Sequence, residues 1–162
     1  MSAAGVRVIR LDGPARLPQA LAVIHAAFGE YEGKLSPPSA AMKETVDSLA
    51  RRLAAGAVFI AEDADGTVIG AVCADRKGEA IYLDRLAVPP AARGRGVAAA
   101  LVAAVEAFAA ETGAASVTLG VRLALDDNIR MFERLGYCET ARTAHPGFDR
   151  PTSASMAKPV GG

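Results

Sequence analysis

The chain has 162 residues, 51% hydrophobic and 22% charged, with eighteen Lys and Arg balanced by eighteen Asp and Glu. That length suits one domain able to bury about two-thirds of its unfolded surface, and this composition excludes a disordered chain. Zero formal charge argues against nucleic acid as the main partner, because phosphate binding leaves a basic excess.

Val6 to Arg10 alternates apolar and charged residues and predicts a short opening strand. Leu17, Leu21, Ile24 and Phe28 recur at helical spacing, so a first helix is expected over Pro14 to Phe28. Gly29 to Pro38 reads as a loop. Ser39 is then placed as the cap of a second helix running to about Leu53, with Met42, Val46, Leu49 and Leu53 on one face. Ala57 to Glu62 and Thr67 to Cys73 are strands joined at Asp65-Gly66, a hairpin signal. Lys77-Gly78 turns the chain into a further strand, Ala80 to Val88, stopped by Pro89-Pro90. A long helix is expected from Arg93 to Thr112, closed by Gly113. Ser116 to Val121 is the next strand. Asp126 or Asp127 caps a shorter helix to Leu135, and Gly136 ends it. Tyr137 to Arg142 and Thr152 to Lys158 complete the strands, and the residues after Pro159 read as a frayed tail.

The resulting order, β-α-α-β-β-β-α-β-α-β-β, specifies a single α/β domain with a mixed sheet, helices on both faces and one parallel strand–helix–strand crossover. No membrane segment is expected: Gly96 to Val105, the longest uncharged apolar run, is about half a span. The start of the chain lacks the basic and apolar regions of a signal peptide. Cys73 and Cys138 have no metal-ligand or CxxC spacing and read as reduced thiols filling strands, so no metal and a cytoplasmic location are expected.

Chemistry concentrates where the strand ending at Val88 passes through two prolines into the long helix. Arg93-Gly94-Arg95-Gly96-Val97-Ala98 sets two glycines and two arginines at that junction. Glycine lets backbone amides approach a ligand, the helix start offers unpaired N–H donors, and the arginines add cationic forks. A phosphate or pyrophosphate is the natural ligand. Gly94-x-Gly96-x-x-Ala99 superficially fits a dinucleotide fingerprint. However, five residues separate the glycines from the strand, and Arg122, not an acid, follows the next one.

The closer match is to another family. Val88-x-Pro90-x-x-Arg93-Gly94-x-Gly96-x-Ala98 resembles motif A of the GCN5-related N-acetyltransferases. Asn128 to Tyr137, ending in Leu135-Gly136-Tyr137, resembles that family's second characteristic helix. The element order is also similar, so the resemblance covers nearly the whole chain.

It implies an acyl-CoA N-acyltransferase fold. Acetyl-CoA would lie between two parting strands, its pantetheine arm along Leu86, Ala87 and Val88 and its pyrophosphate on the amides of Arg93, Gly94, Arg95, Gly96, Val97 and Ala98. A primary amine of a small molecule or peptide would attack the thioester directly, with no metal. Asp84, two residues before the Leu-Ala-Val segment, is the candidate base; its alternative is an ion pair near Arg85 or Arg7. Glu30, Tyr31 and Glu32 fall in a loop that helps cover the acceptor in this family, and His145 in a loop bordering it. For Glu30, Tyr31 and Glu32 the alternative is a solvated polar loop, and for His145 a turn residue. The family's leaving-group Tyr is replaced by Phe132. Its helix-opening Asn is replaced by Leu125, with Asn128 one turn later, able to bond pantetheine or to cap the helix. A non-catalytic acyl-CoA-binding domain is the alternative function. Homodimers are common for the implied fold.

Overall fold

The computed structural model describes residues 5–161; the first four residues, on which the signal-peptide reading partly rests, and Gly162 lie outside them. The strands are β1 (Arg7–Arg10), β2 (Gly56–Glu62), β3 (Val68–Lys77), β4 (Ala80–Ala87), β5 (Ser116–Arg122), β6 (Cys138–Thr143) and β7 (Ser153–Pro159). The helices are α1 (Leu17–Gly29), α2 (Val46–Ala55), α3 (Val97–Glu111) and α4 (Asp126–Arg134). Seven strands form one mixed sheet in the order β1-β2-β3-β4-β5-β7-β6, antiparallel throughout except where β4 meets β5. This is the expected element order. None of the described helices is long and apolar enough to cross a membrane.

Each face of the sheet has its own core. Ala57, Phe59, Val72, Ile81 and Leu83 pack with Val97, Leu101, Val105 and Phe108 of α3. Val58, Ile60, Ala71 and Cys73, pointing the other way, pack with Leu17, Ala20, Ile24 and Leu49 of α1 and α2. Strand alternation sends successive side chains to opposite faces, so one run of apolar residues on β2 and β3 serves both cores.

Several boundaries differ from the sequence expectation. Pro14 to Arg16 form a 3-10 turn, and α1 begins at Leu17. Ser39 does cap, through its side chain on the Ala41 amide, but what it caps is a 3-10 turn over Ala40–Lys43. The second helix starts at Val46, under a reciprocal capping box between Thr45 and Ser48. The long helix starts at Val97, because Gly94 and Gly96 both have positive φ and break helical geometry. Its C-terminal end is closed as expected, with Gly113 and Ala114 donating to the Ala110 and Ala109 carbonyls. Cys73 is a buried strand filler, with its thiol pushed up to about 12 by burial. Cys138 is exposed, because β6 is the outermost strand and covers nothing. Val160, expected in a frayed tail, donates to the Ala115 carbonyl and packs against the core.

Candidate active site

The parallel contact between β4 and β5 is short. Register runs through Ala80–Ser116, Ile81–Val117 and Tyr82–Thr118 and then stops, although both strands continue. Its cause lies on the other edge of β4. Cys73 pairs with Asp84 and Ala71 with Ala87, so Arg85 and Leu86 together oppose Val72. One extra residue in a ladder makes a bulge, which bends its strand and deepens its twist. Arg85 takes the left-handed conformation there (φ 54°), the one non-glycine residue among those described to do so. β4 therefore swings away from β5 beyond Tyr82. The Tyr82 hydroxyl lies against Gly120 at the mouth of the gap, where an added Cβ would stand 3.3 Å from it.

The gap opens into a cleft of about 1510 Å³. Asp84 and Leu86 line it from β4, Val88 from just beyond the strand, Arg93, Gly94 and Gly96 from the turn that follows, and Val97 and Ala98 from the start of α3. Asn128 and Phe132 enter from α4, Glu30 and Tyr31 from the loop after α1, and His145 from the β6–β7 loop. Thirteen of the sixteen residues selected from the sequence thus share one cleft; Glu32 is exposed and lies outside it. Ala87 is buried in the α1–α2 core, and the exposed Arg95 side chain does not line the cleft.

At the turn, Gly94 (φ 79°) and Gly96 (φ 76°) lie in a conformation that strains any residue with a Cβ, and a Cβ on Gly94 would project into open space. The first helical bond from this end of α3 is Ala100 N–H to the Gly96 carbonyl. The amides of Val97, Ala98 and Ala99 precede it and carry the positive end of the helix dipole. The turn therefore fits a diphosphate. Arg93 is held over it by donating to the Val88 carbonyl at 3.0 Å and by an ion pair with Glu30 at 2.7 Å. That pair draws the Glu30 carboxyl down and the Arg93 guanidinium up. Glu30 is thus engaged at the glycine turn. Tyr31 beside it is raised, by burial first and then by Glu30, with the Asn128 side chain pulling the other way.

Asp84 has both oxygens engaged. Oδ2 accepts from Arg52 at 3.0 Å and Oδ1 from the Arg85 backbone N–H at 3.0 Å. The ion pair anticipated near Arg85 is present, whereas Arg7 pairs with Glu62. Arg52 and Arg85 both also hold Glu44, at 2.8 and 2.7 Å, and Ser48 donates to the same carboxylate at 2.6 Å. Burial alone would raise the Glu44 carboxyl; the bonds from Ser48, Arg85 and Arg52 outweigh it and hold it at about 2. Glu44 and Arg52 escape sequence reasoning because their partners lie up to 41 residues away. Arg52 lies on α2, and Glu44 one residue before its Thr45 cap.

Phe132 is buried, edge-on to Tyr137 with ring centroids 5.7 Å apart. The Tyr137 hydroxyl donates to Glu106 at 2.8 Å and is turned away to the far end of α3. His145 is half-buried and its ring meets the Thr152 hydroxyl.

A sheet opened by a bulge beside a glycine turn at a helix start defines an acyl-CoA-type transferase fold. The chain matches the acetyltransferase (GNAT) family over residues 22–137, and it belongs to that family. Among solved structures it is similar to Ard1 from Thermoplasma volcanium, with a TM-score of 0.78 at 19% identity over 97% of this chain and 99% of that one. It is also similar to the ribosomal-protein-S18-alanine N-acetyltransferase from Escherichia coli (0.74, 21%, 96% and 94%). It is similar as well to a GCN5-related N-acetyltransferase from Kribbella flavida (0.73, 22%, 98% and 100%). At these identities the likeness is one of fold. No curated protein sequence matches the chain.

Proposed function

We propose that the protein transfers the acetyl group of acetyl-CoA to a primary amine by direct attack within a ternary complex. One observation carries the reading: β4 and β5 stop pairing at Tyr82–Thr118, and the open edge leads through the Pro90–Ala92 turn to Gly94 and Gly96. An open strand edge suits the amide groups of a pantetheine arm, and free amides with Arg93 suit a diphosphate. Acetyl-CoA, as co-substrate, supplies an activated acyl thioester.

Backbone N–H groups about Leu86, outside the register of both neighbouring strands, would bond the thioester oxygen as charge develops on it. The amine nitrogen forms the new bond to the carbonyl carbon while the carbon–sulfur bond breaks, and its electron pair leaves with sulfur. Asp84 would accept the amine's proton, directly or through one water, with Arg52 and Arg85 fixing the carboxylate's position. No residue is required to form a covalent intermediate. Asn128 would bond the pantetheine arm, Phe132 would supply apolar contact to it, and Tyr31 and His145 would border the acceptor, with Glu30 held by Arg93 at the diphosphate end.

Phe132 supports a second reading, a non-catalytic acyl-CoA-binding domain, because no hydroxyl stands at that position to protonate the thiolate. Calorimetric titration with CoA, followed by thiol release from acetyl-CoA over a panel of amines, separates the two. The transferase reading predicts CoA binding with turnover on at least one amine; binding with no turnover on any favours the second.

A further inference from the structure

We propose that the acceptor carries a carboxylate beside its amine and that Arg122, at the end of β5, receives that carboxylate. The inference rests on the acetyl-transfer reading and adds the substrate class. Six Lys and Arg side chains line the cleft. Arg85, Arg93 and Arg130 have carboxylate partners, whereas among the described residues Lys34, Arg122 and Arg134 have none. Lys34 and Arg134 are exposed and are hydrated without help; Arg122 is half-buried. Its guanidinium is drawn below the usual arginine range by burial, with no acidic group close enough to offset the effect.

A half-buried cation without a counter-ion is costly, and proteins match such a group. The one side-chain hydrogen bond Arg122 makes among the described residues is donation to the Pro37 carbonyl. That leaves most of its five donors free, in the planar fork that suits a carboxylate. Its place in the sheet fits this use. Arg122 pairs in register with Ser153 at the start of β7, on the wall across the gap from Asp84. An amino acid or similar zwitterion can set its amine toward Asp84 and its carboxylate toward Arg122. A polyamine or amino sugar would set a second cation against an unmatched one. The cofactor's diphosphate has its own cation in Arg93, on the β4 side of the cleft.

The test measures thiol release from acetyl-CoA with a panel of amino acids and with the corresponding amino acid amides, which keep the amine and lose the charge. The expected result is that kcat/KM for the preferred acid exceeds that for its amide by about tenfold or more, mainly through KM. In Arg122→Gln this ratio falls toward one, and Arg122→Lys restores part of it, while calorimetry shows CoA affinity retained in both. Amides used as well as acids, no turnover in the panel, or a ratio that survives Arg122→Gln each overturn the proposal. Failure of wild-type protein to bind CoA is a separate result and removes the transferase reading itself.

Discussion

Arg93 and Glu30 show how one pair can be both structure and obstacle. Arg93 flanks the glycine turn and lines the cleft, and Glu30 occupies it in the free protein. Neither side chain is deeply buried, so the pair is worth only a fraction of a kcal/mol to about 1 kcal/mol. A diphosphate has to displace that carboxylate, and Glu30 then stands nearby as a like charge. Glu30→Gln should therefore tighten CoA binding about twofold to fivefold, read by calorimetry; weaker binding would mean that Glu30 positions the turn. At Asp84 the expectation is opposite in kind. Asp84→Asn keeps the shape and one of the two acceptor oxygens that Arg52 and the Arg85 amide use, but cannot take a proton. Turnover at neutral pH should fall by about a hundredfold with CoA affinity nearly unchanged. Wild-type turnover in that variant would return Asp84 to a purely structural role.

At the scale of elements, the bulge on β4 and the charge cluster behind it act together. Arg85 sits in a strained conformation, and its guanidinium is clamped by Glu44, which is only 5% exposed and also holds Arg52 from α2. The cluster so ties α2 to the residue that opens the gap. Glu44→Gln leaves two guanidiniums competing for Asp84, and should cost about 1–3 kcal/mol of stability at pH 7, checked by urea unfolding. The sign with pH follows from the lowered Glu44 carboxyl. Its contribution is present above the ordinary value of 4.5 and is lost as pH falls through about 2. The stability difference between wild type and Glu44→Gln should therefore shrink between those limits; a constant difference would show that Glu44 is not the group responsible. Gly96→Val carries two effects. It should abolish measurable CoA binding, and it should lower the melting temperature, because a branched side chain at φ 76° costs about 1–2 kcal/mol. Unchanged CoA affinity would count against the turn as the diphosphate site.

For the molecule as a whole, what the sequence reveals and what it hides follow from the range of the interactions. Local signals read well: the Asp65-Gly66 turn, the helix stop at Gly113, and the glycine pair after Val88 all act within a few residues. Ser39 misleads because its hydroxyl caps equally well a 3-10 turn, and only the Thr45–Ser48 reciprocal pair marks where the helix begins. Arg93 and Arg95 look helical by composition, but the two left-handed glycines between and after them exclude it. The cleft residues were legible through a family resemblance spanning β4 to α4. The Glu44–Arg52–Arg85 cluster and the isolation of Arg122 were not, because they depend on which side chains the sheet order brings together. Bending β4 at one bulge and leaving β5 straight gives an otherwise continuous seven-stranded sheet a single opening, flanked by the turn that fits a diphosphate.

A crystal structure of the protein grown with CoA tests this account most directly. The diphosphate is expected on the amides of Val97 and Ala98 beside Arg93, with the arm extended along Leu86 to Val88 and sulfur in the gap beyond Tyr82 and Thr118. Density for CoA elsewhere on the molecule, or a β4–β5 ladder closed beyond Tyr82 with no CoA bound, would contradict it.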